Sequence, residues 1–193
     1  VHPRGEVLAI TQNRIHEKNF IQSLDLDTSP FITIESEQDL AGADAFSYPA
    51  ILKTATLGYD GKGQVLCSSA VEVAAAFASL GRVACVLEQR IDLAKEISLV
   101  LGCNAASETF CFPVAENRHA HGILDVTLAP ATISDQLARQ ARQAAQKIAR
   151  GLHYIGVLAV EFFVAVDGRL LVNEIAPRPH NSGHYTLDAC FSS

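Results

Sequence analysis

The last third of the chain holds the pattern that most restricts the fold. From Gly156 the sequence runs GVLAVEFFVAVDGRLLVNEIA, two apolar segments joined at Asp167-Gly168, a dipeptide that favours a tight antiparallel turn. With Asp167 and Gly168 as the turn, Val166 faces Arg169, and counting outward places Glu161 opposite Glu174. Two carboxylates across a strand pair sit about 5 Å apart at Cβ and repel. Their surroundings, AVEFF and LVNEI, withhold water and deepen the repulsion. A divalent cation resolves the conflict, and Asn173 supplies a further oxygen. Magnesium suits such a set, with phosphates and waters completing its shell. A proton shared between the carboxylates, or a bulge that separates them, is the alternative.

Apolar residues make up 49% and charged residues 19% of 193, enough to bury one substantial domain or two small lobes. A formal charge of −6 argues against a general nucleic-acid binder, which needs a basic face. It leaves room for a phosphate pocket built from a few local cations. No apolar run reaches the roughly 18 residues of a membrane span, and the N-terminus lacks a signal-peptide pattern. The chain opens on Val1 rather than Met, so an upstream piece is expected. Cys67, Cys85, Cys103, Cys111 and Cys190 follow no CxxC or zinc spacing and read as free thiols of a reducing compartment. A cytoplasmic protein with neither nucleic-acid nor membrane partners is expected.

Periodicity predicts helices over 15–24 with Asn13 as cap, over 71–80 closed by Gly81, and over 134–150. In the last, Leu137, Ala141, Ala144, Ala145, Ile148 and Leu152 recur at helical spacing. A short helix is expected at 36–40, and strands over 31–34, 49–53, 65–68, 83–87, 97–101, 109–114 and 123–128, besides the final pair. These elements mix without a βαβ beat, so the expected class is α+β in two lobes.

Three further features carry chemistry. GYDGKGQ, Gly58 to Gln64, follows the strand that ends at Lys53. Its glycines let backbone N–H groups approach an anion, and Lys62 adds charge. It lacks the GK[ST] ending of a Walker A loop, and a hairpin turn would favour the same glycines. Lys53 itself stands in an apolar strand, where an unpaired ammonium is costly; a phosphate or a carboxylate would satisfy it. APRPHNSGH then follows the Glu174 strand with Arg178, His180, Asn181, Ser182 and His184, donors suited to a small planar anion, although loops are commonly polar in any case. His119 and His121 form an HxH pair without an evident third ligand. Glu88 and Glu96 bracket QRIDLAK, which suits ribose contacts or an ordinary charged surface.

Taken together, RIHEK, the lysine strand before GYDGKGQ, VLEQRI, ENRHAHGIL, GVLAVEFF and NEIAPRPHNSGHYTLDAC resemble the ATP-grasp superfamily, and within it the 5-(carboxyamino)imidazole ribonucleotide synthases. The likeness runs from about Arg14 to the end of the chain. It implies an ATP-grasp fold with ATP and magnesium between two lobes: 1–26 as an entry segment, 27–91 as a small lid lobe, and 92–193 as a large lobe cut short at its C-terminal end. By this resemblance Arg14 and Lys53 contact phosphates, and Gly58, Tyr59, Asp60, Gly61, Lys62, Gly63 and Gln64 close over them. Glu88, Gln89, Arg90, Ile91 and Glu96 would hold adenine and ribose, with His119 and Asn173 also at the nucleotide. Glu161 and Glu174 match the magnesium ligands. Tyr59, Asp60, Arg178, His180, Asn181 and Ser182 would surround bicarbonate and 5-aminoimidazole ribonucleotide, with Lys62, Arg178, His180 and Asn181 in catalytic roles.

The implied reaction is attack of bicarbonate on the γ-phosphate of ATP, giving carboxyphosphate and ADP, followed by capture of the carboxyl group by the ribonucleotide's amine. A homodimeric full-length parent is implied, and the isolated segment is expected to be inactive. Cys103 stands in the strand where the family usually carries an arginine, so either weaker phosphate handling or compensation by another residue is expected. The competing readings are another ATP-grasp carboxylate–amine ligase and a non-catalytic ATP-binding module.

Overall fold

The computed structural model describes residues 2–58, 62–120 and 122–190. Two antiparallel sheets carry the architecture. The first holds β1 (Phe31–Ile34), β2 (Ala50–Thr54), β3 (Gln64–Cys67) and β4 (Cys85–Gln89) in the order β1-β4-β2-β3. The second holds β5 (Leu93–Cys103), β6 (Thr109–Cys111), β7 (Ala115–Ala120), β8 (Ile123–Leu128), β9 (Gly156–Ala165) and β10 (Leu170–Ala176). Its order is β10-β9-β5-β7-β8, with β6 on β5. The mixture is α+β, as the sequence predicts.

Helices start where side chains satisfy their first backbone donors. Asn13 accepts from the N–H groups of Ile15 and His16 and opens α2 (Arg14–Ser23). Ser69 caps α3 (Ala70–Ser79), which ends before Gly81 in the left-handed region, φ 82°. Ser134 caps α4 (Asp135–Gly151), whose Ala141, Ala145 and Ile148 lie buried on one face of the larger sheet. Two short 3-10 helices, Glu37–Ala45 and Asn181–Leu187, fill out the connections. The first lengthens the helix expected at 36–40. The second begins inside the segment read as a polar loop and runs three residues past it.

Some elements depart from the sequence reading. Helix α1 (Gly5–Thr11) and strand β7 were not expected. β7 reads AENRHA, too polar to show an apolar rhythm, and is held by pairing with β5 and β8 instead. β5 extends well beyond 97–101 because its polar start, including Lys95 and Glu96, still pairs with β9. The run at 109–114 pairs only over Thr109–Cys111.

Period-two alternation gives the larger sheet two unlike faces. Ile97, Leu99 and Leu101 of β5 and Leu158, Val160 and Phe162 of β9 are fully buried in the main core beneath α4. Cys103 continues that apolar row and is buried in the same core. The expectation that its thiol weakens phosphate handling is therefore corrected: the side chain belongs to the face away from the polar cavity described next. The opposite face carries Glu96, Ser98, Glu161 and Glu174. Ser98 pairs with Glu161, and Glu161 pairs with Glu174.

Candidate active site

The β9–β10 hairpin sets the geometry. Its turn is longer than the two residues expected: Ala165 N–H donates to the Arg169 carbonyl at 3.0 Å, and Gly168 takes φ 87°. That shifts the pairing by one, so Leu170 faces Val164. A bulge at Asn173, between Val172 and Glu174, restores it, and Glu174 faces Glu161. The bulge brings the carboxylates together rather than separating them.

Burial first, then Glu174 and Glu96, push the Glu161 carboxyl up to about 7. His180 Nε2 approaches Glu161 Oε1 at 3.6 Å. Burial lowers the proton affinity of His180, with Glu174 opposing. Its Nδ1 lies 2.9 Å from the Ser182 hydroxyl, and the fully buried Ser182 also donates its N–H to Asn181 Oδ1 at 2.9 Å. Arg178 is exposed and, among the described residues, donates to the Pro179 carbonyl at 3.0 Å, a bond that takes one arm of its fork.

These groups line a cavity of about 590 Å³ between the two sheets. Arg14, Lys53, Gly58, Lys62 and Gln64 form one side. Glu96, His119, Glu161, Asn173 and Glu174 form the floor, and Arg178, His180, Asn181 and His184 close the far end. Arg14 Nη1 lies 4.0 Å from Glu174 Oε2, and His119 Nδ1 lies 3.1 Å from Glu96 Oε2. Burial raises the Glu96 carboxyl against the pull of His119 and Lys53. A second space of about 450 Å³ continues past Ile51, Lys53, Leu93 and Phe163 to Glu88, Gln89, Arg90 and Ile91.

Gly63 does not line either space. Its φ is 71°, and a Cβ there would lie 2.7 Å from Thr54 Oγ1, so the position excludes side chains. Tyr59, Asp60, Gly61 and His121 lie outside the described residues. The cysteines named above are free thiols, apart from any disulfide, and no helix among the described residues is long and apolar enough to cross a membrane.

Lys53 finds the carboxylate partner that the sequence allowed: its Nζ donates to Glu88 Oε2 at 3.0 Å. The other oxygen of Glu88 faces Lys18 Nζ at 3.5 Å. Burial tends to raise the Glu88 carboxyl, but Lys53 and Lys18 outweigh it and hold the group below its ordinary range. Lys18 also sits over the Phe31 ring, 5.4 Å from its centre.

Two residues that sequence reasoning passed over stand out here, Glu17 and Lys18, each 2% exposed. Glu17 Oε1 accepts the Ile175 N–H at 2.7 Å. Burial, then Glu174, raise its carboxyl to about 8. The available signal was helical spacing: Arg14, Glu17, Lys18 and Ile21 recur at three- and four-residue steps on one face of α2.

The donor set fits a magnesium ion. Glu161 and Glu174 offer carboxylate oxygens and Asn173 an amide oxygen, and burial together with the neighbouring Glu174 and Glu96 raises the Glu161 carboxyl, a penalty that a cation would relieve. Among the described residues no group of three or more His, Cys, Asp or Glu side chains is placed to cage a metal. An ion held by these residues would complete its shell with phosphates and water.

Comparison with known proteins follows the same line. The ATP-grasp domain matches residues 19–193. The N5-carboxyaminoimidazole ribonucleotide synthase of Bacillus subtilis is 42% identical over 193 residues, covering 99% of this chain and 51% of that protein. A bifunctional purine synthesis protein of Dictyostelium discoideum is 40% identical, covering all of this chain and 20% of its own. The N5-carboxyaminoimidazole synthetase of Staphylococcus aureus complexed with ADP superposes with a TM-score of 0.86 at 38% identity, over 93% of this chain and 48% of that one. The chain thus spans about half the length of the synthases it matches. With the domain match covering most of the sequence and the same fold recurring in the solved structure, this chain belongs to the ATP-grasp family.

Proposed function

We propose that this chain supplies the nucleotide- and metal-binding part of an enzyme that carboxylates 5-aminoimidazole ribonucleotide with bicarbonate at the expense of ATP, in purine biosynthesis. The observation that carries the reading is one cavity in which the paired Glu161 and Glu174 face Lys53 and Arg14 on one side and the Arg178–Asn181 donors on the other. The two lobes are taken as 27–91 and 92–193, with 1–26 as the entry segment. A cytoplasmic location rests on the free thiols, and a homodimeric assembly on the family resemblance.

In this reading the apolar walls Ile51, Leu93 and Phe163 take the base, beside Gln89, Arg90, Ile91 and Glu96. Glu88, held by two lysines, fixes the Lys53 ammonium toward the phosphates. Arg14, Lys53 and the Gly58–Gln64 loop offset charge on the transferring phosphoryl group. Glu161, Glu174 and Asn173 would hold magnesium, which when bound neutralises phosphate charge and orients the γ-phosphate. A bicarbonate oxygen bonds to the γ-phosphorus as the bond to ADP breaks, giving carboxyphosphate. The amine nitrogen of the ribonucleotide then bonds to the carboxyl carbon as the carbon–oxygen bond to phosphate breaks, and the proton lost from the nitrogen leaves with the phosphate. Arg178 presents a forked donor to the carboxylate, while His180 and Asn181, braced by Ser182, orient it.

The test is ADP release by a protein of the relatives' full length carrying this sequence. Release should require bicarbonate and 5-aminoimidazole ribonucleotide together. Release that persists without the ribonucleotide, or that another amine or carboxylate supports equally, would overturn the assignment.

A further inference from the structure

Strand β10 is the edge of the larger sheet, so its outward N–H groups need partners from outside the ladder. The Val172 N–H finds the Asp27 carbonyl at 2.8 Å. The next outward donor is the Ile175 N–H, three residues on rather than two, because Asn173 is bulged. Its acceptor is the Glu17 carboxyl at 2.7 Å, reaching from α2 across 158 positions of sequence. Glu17 thus stands where the backbone carbonyl of a further strand would stand.

The consequence falls on Glu174. In a strand, a slip of one residue turns every side chain to the other face. The bulge at Asn173 is what sends Ile175 into the core, 1% exposed, and Glu174 into the cavity. A hydrogen bond at Ile175 N–H, directly after the bulge, fixes that register. The same helix brings Arg14 to 4.0 Å from Glu174, so α2 holds both the backbone and the carboxylate of this segment.

We infer that Glu17 is a positioning residue for metal-dependent nucleotide binding: it clamps the Ile175 N–H and so holds the bulged register in which Glu174 faces Glu161. This rests on the reading above, in which those two carboxylates hold magnesium on nucleotide phosphates. Glu17 touches neither ion nor nucleotide. It acts through the strand that carries Glu174.

The experiment compares the chain with Glu17→Gln and Glu17→Ala. Glutamine keeps an oxygen acceptor at the same reach; alanine has none. ADP affinity is measured by calorimetry with and without magnesium, and exchange of the Ile175 amide by NMR. In Glu17→Ala the magnesium-dependent gain in ADP affinity should fall about 10–100-fold, the usual range for partners that orient metal ligands. Its metal-free ADP affinity should stay unchanged and its Ile175 amide should exchange faster. Glu17→Gln should track the parent in all three. If the alanine variant fails to fold, Glu17→Met repeats the comparison at similar volume without an acceptor. Equal weakening with and without magnesium, or a glutamine variant as defective as alanine, would overturn the inference. Should the parent chain show no gain from magnesium at all, the metal reading falls instead. A still-protected Ile175 amide in the variant without an acceptor would then sink the clamp separately.

Discussion

The two faces of the larger sheet are built from the same strands and serve opposite ends. Beneath α4, Ile97, Leu99, Leu101, Leu158, Val160 and Phe162 are fully buried and apolar. One residue along in each strand, Ser98, Glu161 and Glu174 form a row in which the largely buried Glu161 carboxylate lies beside the half-exposed Glu174. The first face gains free energy on folding; the second costs it. A sheet rigid on one side is what holds mutually repelling groups in place on the other.

Substitutions on adjacent residues separate the two roles most sharply. Phe162→Ala should lose about 3–5 kcal/mol of stability through the cavity it leaves. Glu161→Gln should be as stable as the parent, or firmer by about 0.2–1 kcal/mol as a like-charge pair is relieved. Denaturant unfolding of both variants measures this. A Glu161→Gln protein that unfolds as readily as Phe162→Ala would break the division between the faces.

The pairing of Glu161 with Glu174 was legible from the sequence, but by a route the structure amends. A two-residue turn at Asp167-Gly168 gives the right partners on paper. In the folded chain a three-residue turn displaces the register by one, and the Asn173 bulge restores it. Neither deviation has a local signature as strong as the DG dipeptide, and they cancel at the glutamates. Cavity residues were legible where unusual types cluster, as in NEIAPRPHNSGH. Glu17 and Lys18 were not, because charged residues on a helix ordinarily face solvent, and only the tertiary fold buries them between the sheets. β7 was missed for a related reason: its pairing comes from neighbours distant in sequence rather than from its own pattern.

The polar side should also set the pH response. The folded pKa of Glu17 is about 8 against an ordinary 4.5, and that of Glu161 is about 7. Below about 4.5 both states carry these protons. Between there and 7–8 the unfolded chain has released them while the folded chain keeps them, so folding is progressively disfavoured as pH rises. Each group contributes a slope of at most about 1.4 kcal/mol per pH unit. Glu88 and His180, both held below their ordinary values, act with opposite sign, Glu88 only below the ordinary carboxylate value and His180 only below its ordinary 6.5, so the decline is steepest above pH 6.5. The unfolding midpoint, followed in denaturant from pH 5 to pH 8, should therefore decline. Glu17→Gln should flatten the decline. A midpoint that rises across this range would contradict the burial of protonated acids on the cavity face.

The smallest effect is expected at Ser98, where the two faces meet within one strand. Its hydroxyl is, among the described residues, the buried side-chain oxygen or nitrogen that finds no hydrogen-bond partner. On the apolar face a hydroxyl would have no reason to be there. On the polar face it stands opposite Glu161 across the ladder, where a shift of that carboxylate onto a ligand would give it a partner. In the ligand-free chain it contributes only its desolvation cost. Ser98→Ala should therefore leave stability unchanged or raise it by about 1 kcal/mol, since an unmade buried bond costs roughly 1–3 kcal/mol. Adding magnesium and ADP should reverse the order, with the serine protein gaining more in unfolding midpoint than the alanine variant. A Ser98→Ala protein already weaker without ligand would show instead that the hydroxyl is bonded within the fold. The polar row would then be balanced by the protein alone.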